Sequence, residues 1–134
     1  MMADWKLTLS ILPETFAVCQ LEPHAPLPAW ATQGRFFSLT RTSEELSIVC
    51  LQDDVPEGVL AEKAWRSLKV EGPIDFTFTG VLASLARPLA DAGVSIFTLS
   101  TYATDYLLIK EQDVFRAVQA LSEDGHQILP WSGE

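Results

Sequence analysis

Two short stretches in the second half of the chain carry the residue types best suited to chemistry. One is Gly80-Val81-Leu82, where a strand-like pattern gives way to a helical one. The other is Thr101-Tyr102 with Asp105, a polar turn between two apolar runs. Backbone N–H groups at a helix start attract a carboxylate, helped by the helix dipole. A glycine there lets a ligand approach the main chain. A carboxylate such as Asp105 pairs with an ammonium or guanidinium group. Together these groups suit the two ends of a small zwitterion. Read by position alone, Gly80 serves equally as a tight strand end and Asp105 as a solvated turn acid.

Catalytic patterns are missing. The chain has no Gly-x-Ser-x-Gly, no Walker-type loop, no paired-cysteine motif and no histidine beside a candidate nucleophile. Asp75 and Asp105 could form a carboxylate pair, but two acids alone do not make an acid/base centre. His24 and His126 stand apart from other ligand types at metal spacing, so each reads as structural or exposed. Asp53, Asp54 and Glu57 do not match a calcium loop and read as a solvated loop. The expectation is a non-enzyme with no metal and no cofactor.

Composition narrows the partners. The 134 residues are 48% hydrophobic and 20% charged, which suits a folded body with a real core. Nine Lys and Arg against eighteen Asp and Glu give a formal net charge of -9, so phosphate-rich partners are repelled and nucleic-acid binding is not expected. No segment approaches the roughly 20 apolar residues that span a bilayer, and no basic region leads into an apolar signal core. A cytoplasmic protein without membrane contact is expected. Cys19 and Cys50 sit in apolar strand-like runs and read as buried, reduced thiols.

The elements follow from periodicity. Residues 5–12 and 16–21 read as strands of an opening hairpin around Pro13. Pro23, Pro26 and Pro28 leave room only for a short helix near 28–32. Strands come next at 36–40 and 46–51. Val59, Leu60, Ala64, Trp65 and Leu68 recur at helical spacing, which predicts a helix leading into a short strand at 69–71. In the second half, alternation predicts a strand at 74–79. Val81, Leu82, Leu85, Ala86 and Leu89 then predict a helix stopped by Gly93, with Pro88 breaking its ladder near Ser84. Strands at 94–100 and 104–109, both apolar enough to be central, precede a helix at 113–124 and a short strand at 126–129. Trp5, Trp30, Trp65 and Trp131 read as packing residues.

Sliding the chain by sixty positions lays Phe36-Phe37-Ser38-Leu39-Thr40 on Ile96-Phe97-Thr98-Leu99-Ser100, and Glu45-Leu46-Ser47-Ile48-Val49 on Asp105-Tyr106-Leu107-Leu108-Ile109. The implied order is βαββαβ twice. That predicts an α+β fold of two tandem ferredoxin-like subdomains, 1–72 and 73–134, the first with a shortened first helix.

On these residues, above all Phe-Thr-Gly-Val-Leu-Ala at 78–83 and the run from Ala92 to Leu108, the chain resembles the ACT-domain superfamily. Within it, the likeness is to tandem-ACT proteins of the CASTOR-like arginine-sensor type and to aspartate kinase regulatory regions. The resemblance implies paired ferredoxin-like units with an amino acid held between units. The main chain at Gly80, Val81 and Leu82 would hold one end of it, and Thr101, Tyr102 and Asp105 would line the facing turn. In the first half, Arg41, Thr42 and Glu45 stand at the positions of Thr101, Tyr102 and Asp105 under the sixty-residue offset, and no Gly-Val pair opens the short helix. A partner chain would therefore complete the site. The expected function is a regulatory or sensor module that binds a free amino acid as a homodimer, with an unidentified protein partner downstream. The alternative is an assembly module that has kept no small-molecule ligand.

Overall fold

The structure, a computed structural model, describes residues 6–72 and 79–130. The strand expected at 74–79, with Asp75, lies almost wholly outside the described residues, as do Trp5 and Trp131. The chain divides into two units, one made of residues 14–65 and the other of 1–13 with 66–134. The division at 72 expected from the repeat thus differs from the observed one at both ends of the first unit.

In the unit of residues 14–65, β2 (Phe16–Leu21), β3 (Ser38–Arg41) and β4 (Leu46–Leu51) join the first part of β5 (Leu60–Val70). Strand order is β3-β4-β2-β5, with every pair antiparallel. This is ferredoxin-like strand order, with both helices reduced to single 3₁₀ turns at Ala29–Thr32 and Gln52–Asp54. Pro28 precedes the first of these turns, and its extended ψ of 141° marks where the short helix starts. The core is Ala17, Cys19, Ala31, Leu46, Ile48 and Cys50, with Trp30 packed against it.

The other unit holds β1 (Thr8–Ile11), the end of β5, α1 (Val81–Asp91), β6 (Phe97–Ser100), β7 (Asp105–Lys110), α2 (Val114–Glu123) and β8 (Gln127–Pro130). β1 runs antiparallel to β5 and parallel to β8, β7 pairs with β5, and β6 pairs with β7. Leu85 and Leu89 from α1, Ala117 and Leu121 from α2, and Leu9, Leu68, Val70, Leu107 and Ile109 from the sheet share one core. The helix spacing read from the sequence therefore buries the face it should, and both helices stop at glycines of positive φ, Gly93 and Gly125.

Three expectations are corrected. First, β1 and β2 do not form a hairpin, because β1 pairs with β5 and β8 while β2 pairs with β4 and β5. Pro13 separates them in sequence, and each finds a better apolar partner far along the chain.

Second, the helix expected from Val59 to Leu68 is strand, part of the eleven residues of β5. Phe16 opposes Trp65 and Val18 opposes Glu62, so β5 carries one extra residue there. Such a bulge resets the two-residue alternation and gives the apolar residues a spacing that mimics a helix. Ala64 holds the bulge at φ 68°, and its N–H donates to Gln52 Oε1 at 2.6 Å. Third, among the described strands β6 pairs only with β7, at the edge and with alternating exposure, rather than lying in the centre.

Proline 88 lies inside α1 and has no N–H to offer the Ser84 carbonyl one turn back. The ring of His126, only 4% exposed, supplies the missing donor. Its Nδ1 accepts the Leu7 N–H at 3.1 Å, so the ring proton sits on Nε2, which lies 3.2 Å from the Ser84 oxygen. One imidazole thus ties α1 to Leu7, just before β1.

Two substitutions test these features by urea unfolding. Ala64→Gly should leave stability equal or slightly higher, because relief of about 1–2 kcal/mol of left-handed strain exceeds the roughly 0.5–1 kcal/mol of glycine entropy. Ala64→Val should cost at least about 1 kcal/mol, since a branched Cβ is poorly accommodated at positive φ. His126→Leu orphans a part-buried acceptor and a part-buried donor and should cost about 1–3 kcal/mol. In that background, Pro88→Ala should stabilise more than it does in the parent chain, since it gives Ser84 its own helical donor. Equal effects in both backgrounds would refute the coupling.

Candidate functional site

The turn between β6 and β7 is built from its own side chains. Ser100 opposes Asp105 across the hairpin, and the Ser100 hydroxyl donates to Asp105 Oδ1 at 2.7 Å. The Thr101 N–H donates to the Thr104 carbonyl at 2.8 Å, while its Oγ1 accepts the N–H groups of Ala103 and Thr104, each at 3.3 Å. Asp105 and Thr101 therefore shape the turn first, and a carboxylate keeps capacity for further hydrogen bonds. Tyr102 stands at the tip, 87% exposed.

Thr104, which sequence reasoning passed over, anchors this turn. It is buried, and its hydroxyl donates to the Val70 carbonyl at the end of β5 at 2.6 Å. A threonine between an alanine and an aspartate in a turn gave no signal of this, since the partner lies 34 residues away.

Gly80 caps α1 at φ 81°, ψ 0°, a left-handed conformation that glycine adopts without penalty. It brings no side-chain cap, and the first turn of α1 carries no acid, so the positive end of the helix dipole is uncompensated there. Val81 is buried in the core and Leu82 is exposed. Gly80 also lines a groove of about 690 Å³ between α1 and α2, whose rim includes Arg87, Asp91, Glu123 and Asp124. Thr101, Tyr102 and Asp105 do not line that groove. Among the described residues, no cluster of three or more His, Cys, Asp and Glu side chains could hold a metal ion.

The other unit shows what became of the equivalent turn. Ser38 opposes Val49 and Phe97 opposes Leu108, and Arg41 opposes Leu46 as Ser100 opposes Asp105. The hairpins correspond at an offset of fifty-nine residues, not sixty. Thr42, not Arg41, therefore matches Thr101. Its N–H donates to the Glu45 carbonyl at 2.9 Å, and its Oγ1 accepts the N–H groups of Glu44 and Glu45 at 3.1 and 3.2 Å. The position of Asp105 is held by Leu46, which is fully buried. Arg41, at the end of β3, turns its guanidinium back onto the carbonyls of Pro23 and Ala25, the latter at 2.7 Å. This unit keeps the turn but has neither the carboxylate nor an α-helix start to face it.

Comparison with known proteins agrees with this architecture. A family model described as the ACT domain matches residues 60–123, and one describing an N-terminal domain matches residues 14–58. The cytosolic arginine sensor for mTORC1 subunit 1 of Bos taurus is 32% identical over 101 residues, which cover 67% of this chain and 31% of the sensor. The chain spans less than two thirds of the length of the curated relatives it matches. Protein Atu0741 from Agobacterium tumefaciens is 36% identical, with a TM-score of 0.90 over 96% of each chain. The ligand-free regulatory subunit of aspartate kinase from Thermus thermophilus, at 12% identity, shares the fold with a TM-score of 0.61 over 87% of this chain and 96% of that one. The matched model shows an ACT domain at residues 60–123, and the chain shares its fold with the aspartate kinase regulatory subunit.

Proposed function

We propose that this protein is a regulatory module that senses a free amino acid without catalysing a reaction. The observation that carries this reading is the start of α1. A left-handed glycine there leaves first-turn N–H groups uncapped and the helix dipole uncompensated, which favours a carboxylate. Asp105, in the turn that Thr104 pins to β5, supplies the charge for an ammonium or guanidinium group.

These surfaces act together when an ACT unit of a second copy lies against them. In this reading Gly80, Val81 and Leu82 hold the carboxylate end through the main chain. Thr101 shapes the turn, Tyr102 covers the ligand, and Asp105 receives its cationic group. The working form is then a cytoplasmic homodimer, and ligand occupancy alters its contact with a downstream protein. Two similar proteins support the regulatory reading, an arginine sensor among the relatives and a regulatory subunit of aspartate kinase among the structures of shared fold. Among the described residues no helix is long and apolar enough to cross a membrane.

The competing reading is an assembly module with no ligand. It draws on the loss of the carboxylate position in the first unit, where Leu46 is buried. Thermal unfolding of the purified protein against a panel of amino acids separates the two. A ligand present at about 100 times its dissociation constant should stabilise the fold by roughly 2.7 kcal/mol, a shift of several degrees. Asp105→Ala should abolish that shift while the unliganded midpoint moves little. A panel without any response would favour the assembly module.

A further inference from the structure

In the unit of residues 14–65, a proline-bearing segment and the 3₁₀ turn Ala29–Thr32 stand where a ferredoxin-like unit has its first helix. Pro23, Pro26 and Pro28 have fixed φ, and they bias the residues before them, Glu22, Ala25 and Leu27, toward extended backbone. The Ala25 N–H donates to the Glu22 carbonyl at 3.1 Å, which turns the chain at Pro23-His24. Beyond that turn the backbone reaches Pro28 at φ −77° and ψ 141°, close to the polyproline II values of about −75° and 145°. That helix has about three residues per turn, so Ala25 and Pro28 share one edge and Pro26 and Leu27 take the others. Burial follows the same period. Ala25 packs on the core and Pro28 is half-buried, whereas Pro26 and Leu27 are exposed, Leu27 to 61%.

Both ends of the segment are held. Arg41, at the end of β3, donates from its guanidinium to the carbonyls of Pro23 and Ala25. At the other end the Pro28 carbonyl accepts the Ala31 N–H at 3.1 Å, and Trp30 and the fully buried Ala31 seat the turn in the core. Pro26 and Leu27 are thus presented outward on backbone that has little freedom left to lose.

We propose that Ala25-Pro26-Leu27-Pro28 is a preformed docking strut for another protein, one that reads polyproline II through a groove lined by aromatic side chains. Such grooves take proline rings and neighbouring apolar side chains, and they exploit the low ordering cost of this conformation. Here Pro26 supplies the ring and Leu27 the side chain. Glu22, exposed at the front of the segment, and the formal net charge of -9 suit a groove with a basic rim. All of these residues lie in the unit of residues 14–65, so docking here requires neither Gly80 nor Asp105.

Heteronuclear NMR and calorimetric titration of the purified full chain with recombinant WW, SH3 and EVH1 domains, basic-rimmed members included, test the strut. At least one domain should bind with a micromolar dissociation constant and shift the amide signals of Ala25 and Leu27. Pro26→Ala and Leu27→Ala should each weaken that binding about tenfold while the thermal midpoint stays in place, since both side chains are exposed. Arg41→Gln should weaken it as well, by releasing the two carbonyls that hold the front of the segment. Circular dichroism checks the fold of each variant, and Arg41→Lys, which keeps the charge but loses the forked donation, serves if Arg41→Gln unfolds. The proposal is overturned if no domain of the panel binds, or if the shifted amides lie outside residues 22–29. It is equally overturned if Pro26→Ala and Leu27→Ala, or the Arg41 variant, bind as tightly as the parent chain.

Discussion

A proline inside a helix leaves one carbonyl without its partner, and in this protein the repair of that gap organises a whole unit. Ser84 loses its intrahelical donor to Pro88, and the buried His126 replaces it from the far end of the chain. Because the other ring nitrogen of His126 accepts the Leu7 N–H, the repair reaches β1 as well as α1. The ring cannot turn over without breaking both bonds, since each nitrogen has one role. Its placement just before β8 fixes where that strand begins, and β8 lies parallel to β1 from Thr8 opposite Gln127 onward. The imidazole thus joins the β1–β8 ladder in tying the two ends of the described chain together, and Leu9, Leu85, Leu89 and Leu121 share one core.

A second constraint operates on β5. A strand of eleven residues serves β2 in its first part and β1 in its last, and it changes phase between them at Ala64. Without the extra residue, the side chains before and after would keep one alternation, and Leu68 and Val70 would fall on the wrong face for their core. The cost is a left-handed alanine, and the Gln52 side chain offsets part of it by accepting the Ala64 N–H.

The two hairpins show how one turn can serve different ends. Thr42 and Thr101 each accept two turn N–H groups on Oγ1, so the turn geometry is shared by both units, while the Thr101 hydroxyl also donates to the Thr104 carbonyl at 3.2 Å. The strands leaving the two turns differ at a single decisive position. Leu46 goes into its core, whereas Asp105 stays partly exposed with its carboxylate held by Ser100. The unit with the carboxylate is also the one with a full α1 opened by Gly80, and the unit without it uses an arginine to close its own proline-rich loop.

By itself the sequence determined the features that depend on near neighbours. The strands at 16–21 and 46–51, the helices of Leu85 and Leu89 and of Ala117 and Leu121, the single short turn after Pro28 and the ladder break at Ser84 were all legible, because periodicity and proline act within a few residues. The α+β class and the doubled ferredoxin-like order were legible in the repeated hairpin. The residues of the candidate site were legible as types, a glycine before a helix and an acid in a turn. Only the tertiary structure decided the rest. It made residues 60–70 a strand because a bulge counterfeits helical spacing, and it paired β1 with β5 and β8 because apolar partners outweigh nearness in sequence. It set the repeat at fifty-nine because register is read from cross-strand pairs, which a letter-by-letter alignment does not contain. Thr104 and His126 owe their roles to partners 34 and 119 residues away, and no local pattern can announce a bond that only folding brings within reach.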